Sequence, residues 1–86
     1  MKLNKAFLIH DSGERIDLIP TGDAAFSGVM RGNKTFGLIL ELLKTQTTEE
    51  EIVSAIKAQF NDPAGTVERD VARALSELRK IGALDE

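Results

Sequence analysis

The chain contains no cysteine, no tryptophan, no tyrosine and only one histidine. Without cysteine there is no disulfide framework, no thiolate metal site and no thiol nucleophile. The lone imidazole, His10, stands at a strand end beside a turn. Alone it makes neither a triad nor a metal site, and it reads as a solvated strand residue. Long apolar runs are missing as well: runs such as Leu38–Leu40 and Ala6–Ile9, three and four residues, fall far short of a membrane span. The opening "MKLNKAFLIH" has a few basic residues but neither a long apolar core nor a cleavage site, so it is not read as a signal peptide. A cytoplasmic protein is expected. There is no Gly-rich phosphate loop, no internal repeat and no low-complexity segment.

Clustered positive charge is also lacking. Eleven basic residues are interleaved with fourteen acidic ones, for a net charge of −3 and a pI near 5.1. Nucleic-acid binding by phosphate neutralisation needs a cluster of Lys and Arg, and membrane-surface binding meets the same objection. Neither partner is expected. What is present is ordinary for a soluble globular domain: 42% hydrophobic and 29% charged residues in 86. That length supports a single domain, residues 1–86, with a thin stability margin.

The residues read as strands over about 5–31 and helices over about 33–82. "KAFLIH" alternates Phe7 and Ile9 against Leu8 and His10, the period of a strand. "DSGE" is a turn, with Gly13 able to take positive φ and Asp11 able to bond to its own backbone. "RIDLI" carries Ile16 and Leu18 on one face, and Pro20, unable to donate to a ladder, is expected to end that strand. A third strand follows, with Phe26, Gly28 and Met30 on one face and Ser27, Val29 and Arg31 on the other.

Asn33 caps a first helix that is apolar on nearly every side (Phe36, Leu38, Ile39, Leu40, Leu42, Leu43), the pattern of a buried central helix. Thr48 and Glu51 form a capping box for a second, whose stripe is Ile52, Val53, Ile56 and Phe60. The third begins at Asp62–Pro63 or at Thr66 and carries Val67, Val71, Ala74, Leu75, Leu78 and Ile81. Gly82 stops it, and Leu84 can fold back. The expected fold is α+β and winged-helix-like: a three-stranded antiparallel sheet followed by a three-helix bundle.

No constellation of acid, base and nucleophile converges, so no enzyme is expected. Glu49, Glu50 and Glu51 are consecutive on a helix and point in different directions, as a dipole-favoured, solvated first turn does. "DSG" is an Asp-Ser pair of the kind found where carrier proteins attach a prosthetic group. Here Gly13 follows and the flanks are strands rather than a helix start. A winged-helix DNA-binding regulator is the alternative reading. Its recognition helix should show a basic face, whereas Arg69, Arg73, Arg79 and Lys80 are mixed with Glu68, Asp70 and Glu77. A domain that dimerises through a free strand edge is a third.

Three motifs in order carry a resemblance. Asn33, Thr35, Ile39 and Leu42 fit Asn-x-Thr-x-x-x-Ile-x-x-Leu. Thr48, Glu51 and Ile52 fit a Thr-x-x-Glu-Ile-like helix start. Asp70, Val71, Leu75, Leu78, Gly82 and Leu84 fit Asp-Val-x-x-x-Leu-x-x-Leu-x-x-x-Gly-x-Leu. Over most of its length the chain thus resembles the PqqD family, the RiPP recognition elements of ribosomal peptide natural-product pathways. It departs at Gly32, where the family tends to have a larger apolar residue.

The resemblance implies binding without catalysis and without a cofactor. Family members hold the leader segment of a precursor peptide as an added strand beside the third strand, in a cleft walled by the third helix. They present the core segment to a modifying enzyme, often a radical S-adenosylmethionine enzyme, in pyrroloquinoline quinone or other peptide pathways. The implied peptide-binding residues are Ser27, Gly28, Val29, Met30 and Arg31 on the strand, with Val29 and Arg31 facing the groove. At about 100° per residue, Asp70, Arg73 and Glu77 fall on one flank of the helix stripe, next to the small Ala74. A shallow groove is expected on that side, so these four complete the set, Asp70 being equally open to a structural role.

Overall fold

A computed structural model describes residues 1–22, 28–59 and 65–86. Its elements are β1 (Lys2–Leu3), β2 (Phe7–Asp11), β3 (Ile16–Pro20), β4 (Met30–Gly32), α1 (Lys34–Leu42), α2 (Glu49–Lys57), α3 (Thr66–Lys80) and β5 (Leu84–Asp85). The turn between β2 and β3 forms as local chemistry dictates. Gly13 takes φ +88°, and its N–H donates to Oδ1 of Asp11 at 2.8 Å.

β2, β3 and β4 form an antiparallel sheet in that order, with β3 central. Phe7, Ile16 and Leu18 are buried on the helix side, while Leu8, His10 and Arg31 are exposed on the other. Two features depart from the sequence reading. β3 runs through Pro20, which pairs with Phe7, and the β4 ladder begins at Met30 opposite Leu18 and extends to Gly32 opposite Ile16.

Hydrogen-bond parity explains both. Thr21 N–H donates to the Ala6 carbonyl at 2.7 Å, and Ser12 N–H to the Arg15 carbonyl at 3.1 Å. Antiparallel pairs alternate between those that exchange hydrogen bonds and those that do not. Stepping by two from these bonds, Asp17 and Ile19 direct their backbone groups at β2, and Ile16, Leu18 and Pro20 direct theirs at β4. Pro20 therefore costs β2 nothing. Its missing donor falls where a continued register would bring Gly28, and the β4 ladder ends before that point.

The caps of α1 and α2 form as expected. Asn33 accepts from Phe36 N–H at 3.1 Å, and Thr48 accepts from Glu51 N–H at 3.2 Å. α1 is the central helix, burying Phe36, Gly37, Ile39 and Leu40. It lies hard against β3: a Cβ at Gly37 would come 2.6 Å from Cγ1 of Ile16. α2 buries Ile52 and Ile56, and α3 buries Val67, Val71, Leu75 and Leu78. Thr66 proves to be the first residue of α3 rather than its cap; Gly65, at φ +69°, occupies the cap position without a side-chain bond. Phe26, Phe60, Asp62 and Pro63 lie outside the described residues.

After Gly82, at φ +73°, the chain folds back as β5 and pairs with β1, a two-stranded sheet that the sequence reading lacks. Leu18, Ile39, Leu40, Leu43, Ile52, Ile56, Val71, Leu75 and Leu78 are each less than 2% exposed. At about 1.5–3 kcal/mol for each buried large aliphatic side chain, this one core ties sheet to helices. No helix among the described residues is long and apolar enough to cross a membrane.

Candidate functional site

Among the described residues, the sheet order makes β4 an edge. Parity then decides which of its backbone groups are available. Met30 and Gly32 face the β4-directed groups of Leu18 and Ile16, so the N–H and C=O of Arg31 point to the open side. Continued one step past the ladder, the same alternation turns the backbone of Val29 outward too. An extended segment laid beside β4 would find these groups ready to pair.

Beside this edge runs a cleft of about 280 Å³. β4 supplies Met30, Arg31 and Gly32; the start of α1 supplies Asn33, Thr35, Phe36 and Ile39; α3 supplies Asp70, Arg73, Ala74 and Glu77. Its base is apolar, from Met30, Phe36, Ile39 and Ala74. Its rim carries two cations, Arg31 and Arg73, and two carboxylates, Asp70 and Glu77. The side chain of Asp70 is exposed and makes no hydrogen bond or ion pair with a described residue, whereas Glu77 Oε1 sits 3.4 Å from Lys80 Nζ.

The structure thus brings Met30, Arg31, Asp70, Arg73, Ala74 and Glu77 together around one cleft. Ser27 lies outside the described residues. Gly28 is half-buried and Val29 is 55% exposed, and neither lines the cleft. Of the two residues expected to face the groove, Arg31 lines the cleft and Val29 does not. Leu18, opposite Met30, is buried, so Met30 points toward the helices, while Arg31 lies opposite Asp17 on the outer face and meets the cleft only at its rim.

Gly32, Asn33, Thr35, Phe36 and Ile39 were missed as lining residues. A partial signal was present, because Thr35 and Ile39 stand four residues apart on one face of the helix. Phe36 depends on its neighbour. A Cβ at Gly32 would lie 2.2 Å from Cδ2 of the ring, so the ring occupies space that any side chain at Gly32 would need.

Two other clefts exist, about 320 Å³ between the β2–β3 turn and α1, and about 400 Å³ between α2 and the start of α3. Neither contains a residue of β4; the first adjoins β2, the other edge of the sheet, through Ile9 and Asp11. Among the described residues no group of three His, Cys, Asp or Glu side chains is placed to hold a metal ion.

Several cations of the helices are paired with carboxylates, although Arg69 and Arg73 form no ion pair with a described residue. Lys57 pairs with Glu68 and Lys80 with Glu77. Arg79 pairs with Glu86, and that hydrogen bond raises the pKa of its guanidinium further. A phosphate backbone would have to displace these carboxylates.

Comparison with known proteins follows the same line. A search of the curated proteins finds no match. Among solved structures, one described as "TbiB1 in Complex with the TbiA(beta) Leader Peptide" is similar along 99% of this chain and 95% of that chain, with 26% identity and a TM-score of 0.79. The family model described as "Coenzyme PQQ synthesis protein D (PqqD)" matches residues 8–84. With open edge, adjoining cleft and that match in agreement, the chain belongs to the PqqD family.

Proposed function

We propose that this protein is a non-catalytic binding module that captures the leader segment of a ribosomally made precursor peptide. The leader pairs with the outward backbone groups of β4 and sets alternate side chains into the cleft toward α3. The protein then presents the rest of the precursor to a modifying enzyme, such as a radical S-adenosylmethionine enzyme, in pyrroloquinoline quinone or another peptide pathway. Bond-making chemistry belongs to that partner, and the setting is the cytoplasm, where precursor and enzyme are made.

The observation that carries the reading is the coincidence of an open strand edge with an apolar-based cleft walled by a helix. Main-chain pairing supplies affinity that is independent of sequence, and the cleft supplies selection among side chains. The solved relative, crossing the same fold at 26% identity, was determined with a leader peptide bound.

The test is fluorescence anisotropy with the labelled leader peptide encoded beside the gene. Val29→Pro removes an outward N–H beyond the β3–β4 ladder. The folded variant is expected to bind at least about tenfold more weakly, the equivalent of one main-chain hydrogen bond lost at an interface. Unchanged affinity in a folded variant contradicts strand addition.

A further inference from the structure

On the outer face of the sheet the side chains form rows that cross the strands. His10 lies directly opposite Asp17, and Asp17 directly opposite Arg31. Nδ1 of His10 is 3.9 Å from Asp17 Oδ2, and Nε of Arg31 is 3.7 Å from Asp17 Oδ1. Arg15 adds a second guanidinium, its Nε 3.7 Å from the same Oδ1. That oxygen is buried and accepts no hydrogen bond from a described residue. One carboxylate therefore serves two guanidinium groups and an imidazole, and a chain of net charge −3 is locally cationic here.

The row is unfinished at β4. Read from β2 outward it runs imidazole, carboxylate, guanidinium, and then open edge. The Arg31 side chain is 64% exposed. Its backbone groups also point to that edge, so a residue paired there, exchanging both main-chain bonds with Arg31 if the added strand is antiparallel, would lay its side chain alongside the guanidinium. The neighbouring row is apolar: Leu8, 58% exposed, lies opposite Ile19, and one step beyond the ladder Ile19 faces Val29, 55% exposed. The residue between them on the added strand points inward, to Met30 and the cleft.

We infer that the peptide recognised at β4 carries an acidic residue in register with Arg31 and an apolar residue in register with Val29. A second apolar residue lies between the two, facing the cleft. For an antiparallel added strand this reads acid–apolar–apolar from N to C; a parallel strand reverses it. The inference rests on strand addition at β4, and its test separates the two claims.

The experiment is selection of a phage library displaying random decapeptides on the immobilised full chain and on Arg31→Glu and Arg31→Gln variants. Selected peptides are then synthesised and their amide shift maps recorded on the labelled protein. The wild type should enrich Asp or Glu with two apolar neighbours on one side. Arg31→Glu should enrich Lys or Arg at the same position, and Arg31→Gln, which avoids a new repulsion with Asp17, should lose the preference. Changing the selected acid to its amide should weaken binding about threefold at low salt, with the difference shrinking at high salt.

Peptides that shift the amides of Val29 and Arg31 but show no preference for an acid overturn the inference and leave strand addition standing. Peptides that bind without moving those amides, or a library that yields no binder, overturn both.

Discussion

The ring of Phe36 occupies the space into which a side chain at Gly32 would project, with Cδ2 2.2 Å from the position of a Cβ there. The two residues stand at the junction of β4 and α1 and both line the cleft, so one exchange of volume shapes its base.

This volume exchange makes the two positions energetically coupled. Gly32→Val is expected to destabilise by about 1–3 kcal/mol through overpacking, and Phe36→Ala by about 3–5 kcal/mol through the cavity it leaves. The double variant should lose less than the sum, because alanine removes two of the three atoms in the way, Cδ2 and Cγ, although the Cβ at 2.5 Å remains. Urea unfolding of the four proteins measures the coupling, and strict additivity contradicts it.

Gly37 offers a test of sign. In a helix interior alanine ordinarily exceeds glycine by roughly 0.5–1 kcal/mol. Here a Cβ would meet Cγ1 of Ile16 at 2.6 Å and Cδ1 at 3.0 Å. Gly37→Ala should therefore destabilise, by about 1 kcal/mol. In an Ile16→Ala background, where both atoms are gone, the same change should stabilise. Thermal melts of the two pairs decide it.

Ala74 is half-buried where α3 meets the cleft. Leucine is nearly as good a helix former, so Ala74→Leu should fold with stability within about 1 kcal/mol of the parent. Its side chain would fill the groove and weaken leader binding at least about tenfold by anisotropy. Full affinity in the folded variant places the peptide elsewhere.

Proline scanning of β4 separates its two edges. Met30 directs its N–H into the ladder with β3, so Met30→Pro should cost about 1–3 kcal/mol of folding stability. Val29→Pro spares the ladder and should leave the melting transition near that of the parent while binding is lost. The opposite ordering in a denaturation series contradicts the assigned parity.

Features set by near neighbours were legible in the sequence. The Asp11–Gly13 turn and the Asn33 and Thr48 caps each need only a side chain and an amide two or three residues away, and each forms. Helical periodicity likewise placed Asp70, Arg73 and Glu77 beside Ala74, and all four line one cleft.

Features that depend on pairing between distant segments were not legible. Pro20 reads as a strand terminator until one knows that its missing donor faces β4 rather than β2. The β1–β5 pair joins residues more than eighty positions apart through two-residue strands that carry no periodic signal. Phe36 reads as pure core. Its place in the cleft follows from the absent side chain at Gly32 and from the distance between β4 and α3, neither of which a helical wheel contains.

The central claim is that a leader peptide adds as a strand to the open side of β4. An amide NMR titration of the labelled protein with the leader peptide encoded beside its gene tests it most directly. The account predicts shifts concentrated at Gly28–Gly32 and along the Asp70, Arg73, Ala74 and Glu77 face of α3, with the free edge of β2 unmoved. Shifts centred on β2, or none at all in a folded protein at saturating peptide, would contradict it.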